Sequence, residues 1–211
     1  MKTQAQIHAI IEELKKLYPD AICSLDYEKD YELLFSVRLA AQCTDARVNL
    51  VTPALFARFP TLEAFAAATP EEVGEYVRSC GFWRAKARDI VGSAQMLLSD
   101  FGGRVPDSME DLLRLPGVGR KTANLVLGDI YGKEGYVCDT HCIRITGRLG
   151  ITDGSKDPLK VEQQLRRVIP PEESNNFCHR MVLHGRALCM ARNPLCSECP
   201  LQPLCDFGKE Q

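Results

Sequence analysis

An all-α fold is what this 211-residue sequence predicts, on three observations. Apolar residues recur at three- and four-residue spacing along most of the chain, the period of a helix with one buried face. Those runs open on Thr, Ser or Asp, the residues whose short polar side chains accept a bond from a helix's first amides. No run alternates apolar and polar residues as a half-buried strand does. Self-similarity at periods of about 20–50 residues is also missing, which argues against a repeat array.

The elements follow in order. Thr3 and Gln6 form a capping box ahead of Ile7, Ile10, Ile11, Leu14 and Leu17. Asp45 stands where it can open a helix containing Val48 and Val51, and Thr61 one containing Leu62 and Phe65. Thr69-Pro70-Glu71-Glu72 joins an N-cap, a first-position proline and early acids. Trp83 to Phe101 reads as a major core helix, stopped by Gly102-Gly103. After Pro106, Asp107 reads as the N-cap of a short helix, and Thr122 to Tyr131 as the next, with only Pro116-Gly-Val-Gly119 between them. Asp139 has the form of an N-cap, Asp157-Pro158 opens a helix to Ile169, and Ser174 opens another through Leu188.

Composition bounds the function. With 45% hydrophobic and 26% charged residues the chain is of globular type and disorder is not expected. No apolar run approaches the ~18 residues that span a bilayer, and the first residues lack the apolar core of a secretion signal. The expectation is a cytoplasmic protein with no membrane partner. A net charge of -2 speaks against general stickiness to DNA, but the charge is unevenly placed. Residues 1–75 carry 7 Lys/Arg against 12 Asp/Glu, whereas residues 76–211 carry 19 against 16. The run Arg78, Arg84, Lys86, Arg88 reads either as a local DNA-facing surface or as an ordinary solvated helix face.

Two motifs carry chemistry. In Leu115-Pro-Gly-Val-Gly-Arg-Lys121, Gly117 and Gly119 permit a turn whose amides, with those opening the next helix, converge on one anion such as a backbone phosphate. A bare Gly-Val-Gly also suits a plain packing hairpin; the Arg120-Lys121 pair directs the reading to an anion. Asp139, eighteen residues beyond Lys121, adds a carboxylate to the amine, and the combination can attack a sugar in DNA. The second motif is Cys189, Cys196, Cys199 and Cys205, separated by six, two and five residues. Four thiolates so close in sequence form a metal clip, and ligand type alone suits zinc or an iron–sulfur centre equally. Cys23, Cys43, Cys80, Cys138, Cys142 and Cys178 lack such spacing and read as small buried hydrophobes. His141, His179 and His184 read as packing or hydrogen-bonding residues.

The hairpin run resembles the helix-hairpin-helix of DNA glycosylases, most closely the endonuclease III type, which has Lys at this position and Asp after a loop. Ala41-Gln-Cys-Thr-Asp45, Gly81-Phe-Trp-Arg-Ala-Lys-Ala-Arg-Asp-Ile90, Val137-Cys-Asp-Thr-His141 and the terminal cysteines fall in the family's order, so the resemblance covers essentially the whole chain. It implies two helical lobes, residues 22–133 with the hairpin, and residues 1–21 and 134–211 with a C-terminal cluster loop. It implies a bifunctional glycosylase and abasic-site lyase, a monomer acting on double-stranded DNA that contains damaged bases or abasic sites, with oxidised pyrimidines as targets. Lys121 would form the Schiff base and Asp139 would assist it. Cys189, Cys196, Cys199 and Cys205 would hold a 4Fe-4S cluster, and no nucleotide cofactor is implied.

By the same resemblance Gln42 inserts beside the orphaned base, and Phe82 stands where relatives often have an aliphatic wedge, unless it is a core residue ahead of the long helix. Gly117, Gly119, Arg120 and Arg192 would meet phosphates. Asp45 and His141 would line the base pocket, Asp45 serving otherwise as an N-cap. In the cluster loop Asn193 and Leu195 are neutral where relatives commonly place further cations. Two other readings stay open, an adenine-mispair glycosylase and a non-catalytic DNA-binding iron–sulfur protein. Against the first, such relatives typically lack the hairpin lysine and carry an acid where this chain has Arg38.

Overall fold

The computed structural model describes residues 2–210, with the side chain of Glu210 left aside. Among these residues there is no strand. The helices are α1 (Gln4–Leu17), α2 (Asp30–Ala40), α3 (Asp45–Arg58), α4 (Leu62–Ala67), α5 (Pro70–Val77), α6 (Trp83–Asp100), α7 (Met109–Leu112), α8 (Arg120–Asp129), α9 (Thr140–Leu149), α10 (Pro158–Val168) and α11 (Ser174–Ala187). They form two compact units. One is continuous, Cys23–Tyr131; the other joins Met1–Ile22 to Gly132–Gln211.

In the continuous unit α6 is the central rod. Its stripe of Ala87, Ile90, Val91, Ala94 and Leu97 is buried, and α2, α4 and α5 pack on it. The Phe65 ring contacts Phe35 edge-on at 5.0 Å and Phe59 at 5.1 Å, giving this core an aromatic centre. Thr61 and Thr69 cap α4 and α5 as the sequence implies, each worth about 1 kcal/mol. Gly102 and Gly103 follow α6 with φ of +59° and +76°, so the chain turns there.

In the other unit α1 begins on the Thr3–Gln6 capping box and buries Ile7, Ile10, Ile11 and Leu14. At roughly 1.5–3 kcal/mol for each such side chain, this stripe rather than helix propensity holds α1 in place. It packs on α11, which also meets α9. The approach of α9 to α11 depends on Gly185: a Cβ there would lie 2.3 Å from His141 Nδ1 and 2.9 Å from Arg144 Nη2. The buried Tyr136 hydroxyl donates to Ile169 O at 2.9 Å, fastening the segment before α9 to the end of α10.

One helix, α2, is added to the reading, and four local readings are corrected. Helix α2 has no entry signal, because its N-cap is Lys29 and Glu32 instead folds back to accept from the Glu28 and Lys29 amides. It is also buried nearly all round, from Glu32 to Val37 and at Leu39, so it has no single apolar stripe to detect. Thr44, not Asp45, caps α3; its hydroxyl accepts from Arg47 N, and Asp45 is the first helical residue. Ser108, not Asp107, caps α7. Ser174 opens α11 without capping it, its hydroxyl accepting from Gly135 N and donating to Pro171 O. Finally, Lys86 is only 1% exposed and belongs to neither a DNA-facing nor a solvated surface, whereas Arg78, Arg84 and Arg88 are exposed.

Candidate active site

The turn between α7 and α8 is built by its neighbours in the continuous unit. Val118 N donates to Leu115 O at 3.1 Å, and Ser93 on α6 donates to Pro116 O at 3.1 Å, holding the turn on both sides. Gly117 takes φ of +72°. Under it lies an ion pair, with the Arg38 Nε and Nη2 atoms each 2.7 Å from Asp89 Oδ2. A Cβ on Gly117 would meet both Arg38 Nε and Asp89 Oδ2 at 2.5 Å, so glycine is required by conformation and by space. Gly119 is the N-cap of α8 and offers no side chain to the first amides. Gly117→Ala is therefore expected to cost about 1–3 kcal/mol of stability and to weaken duplex binding. Thermal melting and a binding titration that both matched the parent would contradict this packing.

Arg120 and Lys121 are the first two residues of α8 and both are exposed, while Ala123 and Val126 anchor the helix at 0% exposure. Lys121 thus stands in the first turn of α8, where the helix dipole favours a nearby anion. Arg38 is committed to Asp89 beneath the turn.

Two loops of the same unit end in exposed residues of left-handed conformation. Gln42, after α2, has φ of 53°; Phe82, at the N-cap of α6, has φ of 47° and is 71% exposed. The reading of Phe82 as a core residue is thereby overturned. Beside it Trp83 lies between the Arg78 and Arg84 guanidinium groups, 5.5 and 4.3 Å from its ring centroid. Asp45 is half-buried, and its Oδ2 accepts from the Ser24 hydroxyl at 2.6 Å.

In the discontinuous unit Asp139 is the N-cap of α9, with Oδ1 accepting from Cys142 N at 2.7 Å. One carboxylate oxygen is engaged by the helix; the half-buried group presents a second for chemistry. His141 Nδ1 lies 3.1 Å from Arg144 Nη2, and since a guanidinium only donates, Nδ1 is the acceptor.

Farther along α9, Arg144 Nη2 reaches Cys189 O at 2.9 Å. Arg148 Nη1 donates to Met190 O at 2.7 Å and to Cys189 Sγ at 3.3 Å. These two arginines grip the start of the cysteine loop, a role the sequence reading missed although their i, i+4 spacing on one helix face was visible.

The four loop cysteines fit a thiolate-held cluster. All are free thiols, and together they line one cavity with Ile145, Leu149, Leu188 and Leu201. Gly208 N donates to Cys205 Sγ at 3.3 Å, and Cys199 Sγ lies 3.6 Å from His184 Nε2. Burial pushes the Cys199 and Cys205 thiols upward, and the neighbouring cysteines add to it, so the site favours a bound positive centre that pays for four sulfur charges. Among the described residues no three Cys, His, Asp or Glu groups close on one point as the ligands of a single ion do. Four thiols lining one cavity are the donor set of a thiolate-held iron–sulfur group. Arg192 is exposed in this loop, followed by Asn193 at φ 49°.

Comparison with known proteins agrees with this geometry. Residues 35–171 match the family described as HhH-GPD superfamily base excision DNA repair protein, and residues 189–205 match the iron-sulfur binding domain of endonuclease III. Endonuclease III of Synechocystis sp. is 49% identical over 193 residues, 91% of this chain and 88% of that protein. Endonuclease III of Bacillus subtilis is 39% identical, covering 98% and 94% respectively. A solved structure of a trapped endonuclease III–DNA covalent intermediate superposes with a TM-score of 0.93 at 42% identity, covering 100% of this chain and 99% of that one. A thermostable thymine-DNA glycosylase shares the fold, with a TM-score of 0.88 at 18% identity. The chain belongs to the endonuclease III family of base excision DNA glycosylases and abasic-site lyases, with a C-terminal domain for a 4Fe-4S cluster.

Proposed function

We propose that this protein excises oxidised pyrimidines from duplex DNA and cuts the strand at the resulting abasic site, Lys121 acting as nucleophile and Asp139 as the assisting carboxylate. The observation that carries the reading is the exposed amine at the second position of α8, directly after a turn shaped for phosphate. The turn amides, Gly117, Gly119 and Arg120 hold the DNA backbone, so binding energy from the phosphates positions the sugar for attack. Extrusion of the damaged nucleotide costs a few kcal/mol of stacking and pairing, least where damage has weakened both. Gln42 and Phe82 fill the space it leaves, and Asp45 and His141 face the extruded base. Arg192 meets a further phosphate from the cysteine loop.

The chemistry then follows from the amine. The neutral Nζ forms a bond to C1′ while the C1′–N bond breaks, its electron pair leaving with the base, which takes up a proton. Asp139 stabilises the positive charge developing on the sugar and accepts a proton from the attacking amine. Ring opening gives an imine between Nζ and C1′. The imine acidifies C2′–H; loss of that proton drives cleavage of the C3′–O bond, and the 3′ phosphate departs. Water hydrolyses the imine and frees Lys121. Cys189, Cys196, Cys199 and Cys205 would hold the 4Fe-4S cluster, which when bound would cross-link the C-terminal loop and take no part in bond breaking.

A panel of duplexes tests the substrate. Thymine glycol opposite adenine is expected to be cut and, with borohydride present, to trap the protein covalently. Uracil and mispaired adenine should lag by about a hundredfold or more, the discrimination available to a pocket reading polar groups on the base. Excision of mispaired adenine without strand cleavage would replace this reading by the adenine-glycosylase one.

A further inference from the structure

We infer that Lys86 is a positioning residue that ties the two base-displacing loops, those ending in Gln42 and Phe82, to a single buried anchor. The inference rests on the reading that these two side chains fill the gap beside an extruded base. Lys86 lies within α6, yet its side chain turns inward and is 1% exposed. Its Nζ donates to Leu39 O at 2.8 Å and to Cys80 O at 2.6 Å. Leu39 is in the last turn of α2, and Cys80 ends the 3-10 turn Arg78–Cys80. Each loop therefore leaves an element whose final carbonyls point at the same ammonium. Carbonyls at a helix C-terminus carry partial negative charge and lack intrahelical donors, which makes them suitable partners for a cation.

Nothing else in the surroundings explains a charge at this place. No carboxylate pairs with Lys86 among the described residues; its titratable and charged neighbours are the Cys43 and Cys80 thiols and the Arg38 guanidinium. Burial pushes the Lys86 ammonium down and the Cys80 thiol up to about 11, which leaves the carbonyls as the main compensation for the buried cation. A methionine would fill the same space without that cost. Meanwhile Gln42 and Phe82 both hold left-handed backbone angles that a free loop would leave, and such conformations persist only where the surroundings over-determine them.

The test uses the full chain with its cluster. Lys86→Met is compared with the parent and with a Gln42→Ala, Phe82→Ala double variant at a temperature well below melting. Two quantities are read: single-turnover cleavage of an abasic site in duplex and in single-stranded DNA, and the emission of a fluorescent adenine analogue placed opposite the site. A single strand has no partner base to displace. Lys86→Met is expected to lower duplex cleavage by about a hundredfold, the loss typical of ångström-scale misplacement. It should leave single-strand cleavage within about threefold and reduce the fluorescence rise on binding, since neither needs the amine of Lys121 to move. Equal loss on both substrates, or an unchanged fluorescence rise, overturns the inference. If Lys86→Met does not fold, Lys86→Gln, a neutral donor of shorter reach, is measured instead; a duplex-to-single-strand ratio and fluorescence rise equal to the parent's overturn it there too. Should the double variant leave both quantities unchanged, the gap-filling reading itself fails; should it shift them while the Lys86 variants do not, only the role of Lys86 fails.

Discussion

Lys121→Ala is expected to abolish covalent trapping by borohydride and to lower both base release and strand cleavage by about 10⁴-fold or more, the scale seen when a catalytic nucleophile is removed. Stability should hardly change. Lys121 is exposed at the start of α8, where alanine is at least as good a helix former and no packing is lost. Duplex binding should persist as well, because the turn and its amides remain. The outcome that sinks the assignment is a variant that still traps on damaged duplex as efficiently as the parent, for then another amine forms the imine. A variant that unfolds would instead contradict the description of α8 as anchored by Ala123 and Val126.

Asp139→Asn separates two roles that fall on one residue. Asparagine caps a helix about as well as aspartate, so the bond to Cys142 N survives and melting should move by less than about 0.5 kcal/mol equivalent. The negative charge is lost, and base release should fall by about 10²–10⁴-fold, the range for a positioned acid–base group. Asp139→Ala should lose the same activity and, in addition, about 1 kcal/mol of stability from the missing cap. Full activity in Asp139→Asn, measured by single-turnover base release, would show that the residue serves as a cap alone.

Much of this architecture was legible in the residues because caps and glycines act locally. Thr3, Thr61, Thr69, Asp139 and Asp157 each bind amides within three positions, so their types report helix starts directly. The hairpin was legible for the same reason, since the demand for a turn at Gly117 is written in one residue. What escaped depends on contacts distant in sequence. Helix α2 is buried on most sides, so its apolar residues mark no face. Between Thr44 and Asp45, and between Asp107 and Ser108, adjacent cap-formers compete, and the surrounding packing selects one.

Lys86 escapes a reading by residue type, which puts a lysine on the outer face of α6. It precedes Ile90 by one helical turn and falls on the stripe that continues through Ala94 and Leu97, so its periodicity already marked it as inward-facing. The support of Gly117 by Arg38 and Asp89 joins residues 51 apart and has no local mark. The same holds for the grip of Arg144 and Arg148 on the cysteine loop.

The seat of α1 has a consequence for how the molecule is made. Tyr18 and its partner His184 are separated by 166 residues, and the apolar stripe of α1 is covered chiefly by α11. On a translating ribosome, at about 5–20 residues per second, α1 therefore waits on the order of ten to thirty seconds before its cover emerges. The continuous unit can complete itself during that interval, while Ile7, Ile10, Ile11 and Leu14 remain greasy bait for a nascent-chain chaperone.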